Sequence, residues 1–97
     1  MYSVLIADDE VMIREGLRDL IDWHGLGFSI AALFEDGGDV IKYINREPVD
    51  LVITDIKMTR TSGLEVAHHI HEQQMDTKVI LISGYADWYA SARRVSC

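Results

Sequence analysis

Val4-Leu5-Ile6-Ala7-Asp8-Asp9-Glu10 is an apolar run that turns acidic without a break. Four consecutive apolar residues with no polar alternation read as a strand covered on both faces, as in a parallel sheet clad by helices. Two later runs repeat the pattern: Leu51-Val52-Ile53-Thr54, closed by Asp55, and Val79-Ile80-Leu81-Ile82, closed by Ser83. Phe28-Ser29-Ile30-Ala31-Ala32-Leu33-Phe34 alternates in part, which suits a more exposed edge strand.

Between these runs the apolar period becomes helical. Ile13, Leu17, Leu20 and Ile21 fall on one stripe of a first helix, with Arg14, Glu15, Arg18, Asp19 and Asp22 on its other side and Gly25 and Gly27 ending it. A second helix is predicted from 39 to about 46, on Val40, Ile41 and Ile44, stopping before Pro48. A third runs from 63 to about 74, on Leu64, Ala67 and Ile70, and a fourth begins near 86. The order β-α-β-α-β-α-β-α with short links specifies a parallel α/β sheet with right-handed crossovers.

In open sheets of this kind, ligands bind beyond the carboxyl ends of the strands, where strand order reverses. Asp8, Asp9 and Glu10 follow the first strand directly and Asp55 closes the third. If those strands are neighbours, their carboxylates converge in one crevice, where like charges raise each other's pKa unless a cation sits among them. An all-oxygen carboxylate site suits a hard divalent ion, and Mg²⁺ so held usually handles phosphate oxygens. Asp55 is then a candidate nucleophile, since aspartate forms acyl phosphates. Ser83 would offer a hydroxyl to a phosphoryl oxygen, and Gly84 leaves room for the group to approach. Taken singly, each acid reads as a helix cap or a solvated loop end; their convergence argues for a site.

Composition narrows the class of function. The 97 residues are 48% hydrophobic and 26% charged, an ordinary globular balance. Nine basic against sixteen acidic residues leave a net charge of −7, which disfavours nucleic-acid binding by this chain. No apolar run approaches the roughly 18 residues of a membrane span. A single cysteine, Cys97, excludes an internal disulfide and suits a reducing, cytoplasmic setting.

These residues resemble a known family. Val4-Leu5-Ile6-Ala7-Asp8-Asp9-Glu10, Asp50-Leu51-Val52-Ile53-Thr54-Asp55-Ile56-Lys57-Met58 and Val79-Ile80-Leu81-Ile82-Ser83-Gly84 are similar to the receiver domain of bacterial two-component response regulators. Ile21-Asp22-Trp23-His24-Gly25-Leu26-Gly27-Phe28 and the Ser83-Gly84-Tyr85 ending resemble receivers that precede an AraC-type DNA-binding domain. The resemblance implies a flavodoxin-like three-layer α/β sandwich with strand order 2-1-3-4-5. It implies Asp55 as the phosphoacceptor served by a sensor histidine kinase, Mg²⁺ on Asp8, Asp9, Asp55 and the backbone carbonyl of Lys57, and Ser83 as the switch hydroxyl.

Two departures from the family pattern carry expectations. Thr59 stands where the family has proline, predicting a loop less fixed in φ and a Lys57 carbonyl less well held. The resemblance covers residues 1 to about 90, so the chain reads as a truncated receiver over 1–97, with sheet order 2-1-3-4, no fifth strand or helix, and no output domain. The family's fifth-strand lysine and aromatic would then be missing, predicting slow phosphorylation with Mg²⁺ binding retained. Strand 79–82 would be an apolar edge open to self-association.

The functional reading is a non-enzymatic signalling module of a phosphorelay, switching an attached transcriptional output. A phosphorylation-impaired, self-associating remnant and a Mg²⁺-dependent phosphohydrolase are the alternatives. The second lacks a further acid two residues after Asp55, where Lys57 stands, and a flavodoxin-like cofactor site is disfavoured because Asp8-Asp9-Glu10 would repel an anion. His68, His69, His71 and Glu72 read as a polar helix face rather than a metal pair, Trp23, Phe28 and Phe34 as packing residues, and Trp88 and Tyr89 as packing or a partner-binding face.

Overall fold

The chain, as a computed structural model, is described over residues 1–83. The fourth helix expected near 86, together with Gly84, Tyr85, Trp88, Tyr89 and Cys97, lies outside the described residues. The elements are β1 (Tyr2–Ala7), α1 (Val11–Leu20), β2 (Phe28–Phe34), α2 (Gly37–Arg46), β3 (Leu51–Asp55), α3 (Gly63–Glu72) and β4 (Lys78–Ile82). The four strands form one parallel sheet in the order β2-β1-β3-β4, so the chain reverses direction across the sheet between β1 and β3.

Alternation along each strand sorts the core into two layers. Leu5, Ala7 and Val52 face Val40 and Ile44 of α2, Val66 and Ile70 of α3, and Val49. Val4, Ile6 and Ile53 face the other way, against Trp23, Leu17 and Ile21. Val4, Leu5, Ile6 and Val52 are fully buried, each contributing about 1.5–3 kcal/mol of apolar burial. β2 is an edge, and its imperfect alternation has a local cause. Val4 pairs with Ile30 but Leu5 pairs with Ala32, so Ala31 is an inserted residue that points to solvent. Among the described residues β4 pairs with β3, and residues 79–82 are half-buried.

The helices differ from the sequence expectation in instructive ways. α1 ends at Leu20, ahead of Gly25 and Gly27, and Ile21 is already extended. Leu20 is 87% exposed and leaves the apolar stripe. The chain stops helical winding there because Trp23 must fold back beneath α1, where its indole Nε1 donates to the Leu17 carbonyl at 2.9 Å. Gly27 serves the turn into β2, with φ +88. α2 begins at Gly37, two residues before the expected Asp39, because Asp36 caps it by accepting from the Gly38 amide. α3 ends at Glu72 and buries Gly63, Val66 and Ile70; Leu64 is exposed. Of the expected stripe, Ile70 is buried and Ala67 half-buried, while Val66 takes the inward place expected of Leu64; Gly63 lets the start of α3 approach the Asp55 carbonyl closely.

Candidate functional site

β1 and β3 are hydrogen-bonded neighbours, with Ala7 opposite Thr54. Their carboxyl ends therefore release Asp8 and Asp55 side by side. One carboxylate oxygen from each of Asp8, Asp9 and Asp55 lies within 4.8 Å of the other two. Asp8 and Asp55 are buried, whereas Asp9 is exposed at the rim. The predicted convergence of acids is present.

The three carboxylates are held differently. Asp8 Oδ1 accepts from the Glu10 amide at 2.9 Å, and Arg14 Nη1 donates to the Asp8 backbone carbonyl at 2.6 Å. Asp8 Oδ2 is buried and accepts no hydrogen bond among the described residues. The Asp8 carboxyl is raised to about 6: burial is the main cause, opposed by the Glu10 amide and reinforced by the charges of Asp55, Asp9 and Glu10. Asp9 Oδ2 receives the Thr59 hydroxyl at 3.4 Å. An oxygen-only donor set with an orphaned buried carboxylate oxygen fits a hard divalent cation such as Mg²⁺.

Ser83 follows directly on β4, whose Ile82 pairs with Asp55 and accepts from the Ile56 amide at 2.8 Å. It is half-buried at the same end of the sheet as the acids. Lys57 sits two residues beyond Asp55, exposed, on the loop 56–62. His68, His69, His71 and Glu72 stay on α3, away from this end, with His69 Nε2 against Asn45 Oδ1 at 2.8 Å.

One residue of the site region escaped the sequence reading. Asp36, between β2 and α2, is buried and accepts from three backbone amides: Gly38 at 2.9 Å, Arg60 at 2.9 Å and Thr61 at 3.0 Å. Burial alone would raise its carboxyl, but the Thr61, Gly38 and Arg60 amides and the Arg60 charge outweigh it and hold Asp36 below the usual aspartate value. The signal available in the sequence was an acid directly before Gly37-Gly38 and an amphipathic stretch. The two glycines masked the helix start.

The sequence profile of the response regulator receiver domain matches residues 4–95. The transcriptional regulatory protein HptR of Staphylococcus aureus is 38% identical over 88 residues, covering 91% of this chain and 34% of HptR. The chain thus spans about a third of the length of the curated relatives it matches. Among solved structures, the two component transcriptional regulator AraC from Clostridium phytofermentans is 34% identical with a TM-score of 0.78, over 95% of this chain and 72% of that one. The response regulator TrrA from Thermotoga maritima, in complex with Mg²⁺–BeF, is 37% identical with a TM-score of 0.75, over 93% of this chain and 76% of that one. A sequence match running from residue 4 to residue 95 leaves only the extreme ends of the chain outside it, and the chain belongs to the response regulator receiver domain family, the phosphorelay modules of two-component systems.

Proposed function

We propose that Asp55 is the phosphoacceptor of this receiver and that a sensor histidine kinase supplies the phosphoryl group. An Asp55 carboxylate oxygen attacks phosphorus of the kinase's phosphohistidine; the O–P bond forms as the P–N bond breaks, and the imidazole leaves with the electron pair and takes a proton from solvent. Asp8, Asp9, Asp55 and the backbone carbonyl of Lys57 would hold Mg²⁺, which when bound offsets the charge of the carboxylates and the incoming phosphoryl oxygens. The Ser83 hydroxyl would donate to a phosphoryl oxygen on Asp55 and so report phosphorylation to the β4 side of the sheet. The product stays on the chain, which makes this a signalling module in the cytoplasm rather than a metabolic enzyme. The names of HptR and of the Clostridium regulator support a transcriptional output for the natural protein.

The observation that carries this reading is the buried, unsatisfied Asp8 Oδ2 beside Asp55. Incubation with Mg²⁺ and acetyl phosphate, followed by intact-mass analysis, tests it. One added phosphoryl group on the chain, absent from Asp55→Asn and abolished by chelator, is expected. Equal labelling of Asp55→Asn would overturn it.

A second reading concerns β4. Val79, Ile80, Leu81 and Ile82 are all half-buried, while Val52, Ile53 and Thr54 beside them are buried, which favours self-association through 79–82. Sedimentation equilibrium at rising concentration checks this; a monomer throughout refutes it.

A further inference from the structure

The loop 56–62 carries both Lys57 and Thr59, yet it contains no proline to restrict φ, the chain's one proline being Pro48. Its ends are anchored by the sheet and α3: the Ile56 amide donates to the Ile82 carbonyl, and the Gly63 amide to the Ile56 carbonyl at 2.9 Å. Its middle is anchored from a different element. Asp36 Oδ1 accepts both the Arg60 and Thr61 amides, and the Gly37 amide returns a bond to the Thr61 carbonyl at 3.0 Å. The junction leaves no slack, since a Cβ on Gly37 would lie 2.6 Å from the Thr61 carbonyl oxygen. Thr59, one residue before this clamp, places its hydroxyl 3.4 Å from Asp9 Oδ2.

We propose that Asp36 is a positioning residue for the acidic pocket: by clamping Arg60 and Thr61 it sets the loop that brings the Lys57 carbonyl and the Thr59 hydroxyl to the Asp8, Asp9, Asp55 cluster. The inference rests on the proposed reading of that cluster as a Mg²⁺ site. Both Asp36 carboxylate oxygens are taken up by backbone amides. Asp36 acts through the loop, converting a chain segment with several accessible conformations into one. A buried carboxylate suits this task, because its one Oδ1 satisfies two loop amides while Oδ2 caps α2. Supporting partners of this kind typically change metal affinity by about 10–100-fold when removed.

Asp36→Ser separates the two roles of the side chain. Serine caps a helix about as well as aspartate, but it is one carbon shorter and loses the second carboxylate oxygen that reaches Arg60 and Thr61. Calorimetric titration of the full chain with MgCl₂ alone should give about a tenfold weaker Kd for Asp36→Ser, and amide hydrogen exchange should lose protection at Arg60 and Thr61 while Gly38 keeps it. Val49→Ala, a core truncation at the opposite end of the sheet, should leave the Mg²⁺ Kd unchanged despite its stability loss. If Asp36→Ser does not fold, Asp36→Gly, a tolerated helix cap with no side-chain acceptor for the Arg60 and Thr61 amides, takes its place with the same expectation for the Mg²⁺ Kd and for those two amides. An unchanged Mg²⁺ Kd in a folded Asp36 variant, with Asp9→Asn weakening it, overturns the positioning role alone. An unchanged Kd in Asp9→Asn and Asp55→Asn overturns the metal site beneath it.

Discussion

A carboxylate oxygen of Asp8 lies within 4.8 Å of one on Asp55, across the β1/β3 pair, with both side chains buried. Burial of the Asp8 carboxyl opposes its ionisation, and the Asp55 charge adds to that effect.

The stability of the metal-free chain should therefore depend on pH in a specific direction. Asp8 binds its proton more tightly in the folded chain, its carboxyl rising from 3.8 to about 6. The stabilising contribution is complete below about 3.8 and is lost as pH rises through about 6. At about 1.4 kcal/mol per unit, the loss is on the order of 3 kcal/mol between pH 4 and pH 7. Urea denaturation with chelator present, comparing the chain with Asp8→Asn, isolates this group. The difference between them should shift with pH against the unsubstituted chain; a constant difference would count against the buried Asp8.

Cation binding should reverse that penalty near neutral pH. With free Mg²⁺ at ten times its Kd, folding should be stabilised by about 1.4 kcal/mol, seen as a raised Tm. Asp8→Asn and Asp55→Asn should lose the Mg²⁺-dependent increment. Lowering pH through about 6 should weaken Mg²⁺ binding, because the cation competes with the Asp8 proton.

Gly63→Ala tests how α3 is seated against the site. A Cβ there would collide with the Asp55 carbonyl and also meet the Thr54 methyl, so either α3 or the end of β3 must shift. A loss of about 1–3 kcal/mol is expected from the overpacking, with a weaker Mg²⁺ Kd because Asp55 moves. Equilibrium denaturation and magnesium titration of the one variant report both effects.

The rotated face of α3 predicts a sharp contrast between two neighbours in sequence. Val66 is fully buried and Leu64 is 55% exposed. Val66→Ala should cost about 2 kcal/mol, and Leu64→Ala within about 0.5 kcal/mol of zero. Urea midpoints that rank the pair the other way would restore the stripe read from sequence.

Periodicity and chemistry in the linear chain determined much of this protein. Continuous apolarity in 4–7, 51–54 and 79–82 determined the strands, because a strand covered on both faces must be apolar at every position. The acids closing two of those runs determined where a cation could sit, since parallel strands deliver their carboxyl ends to one edge. Only the tertiary structure decided where the helices stop and which face they turn inward. Leu20 and Leu64 belong to apolar stripes in sequence, yet Trp23 folds back under α1 and Val66 takes the inward face of α3, and both leucines lie in water. Asp36 is the same lesson at the site. Its partners Arg60 and Thr61 are 24 and 25 residues away, and no local pattern records a side chain whose hydrogen bonds exist only once α2 and the loop after β3 are brought together.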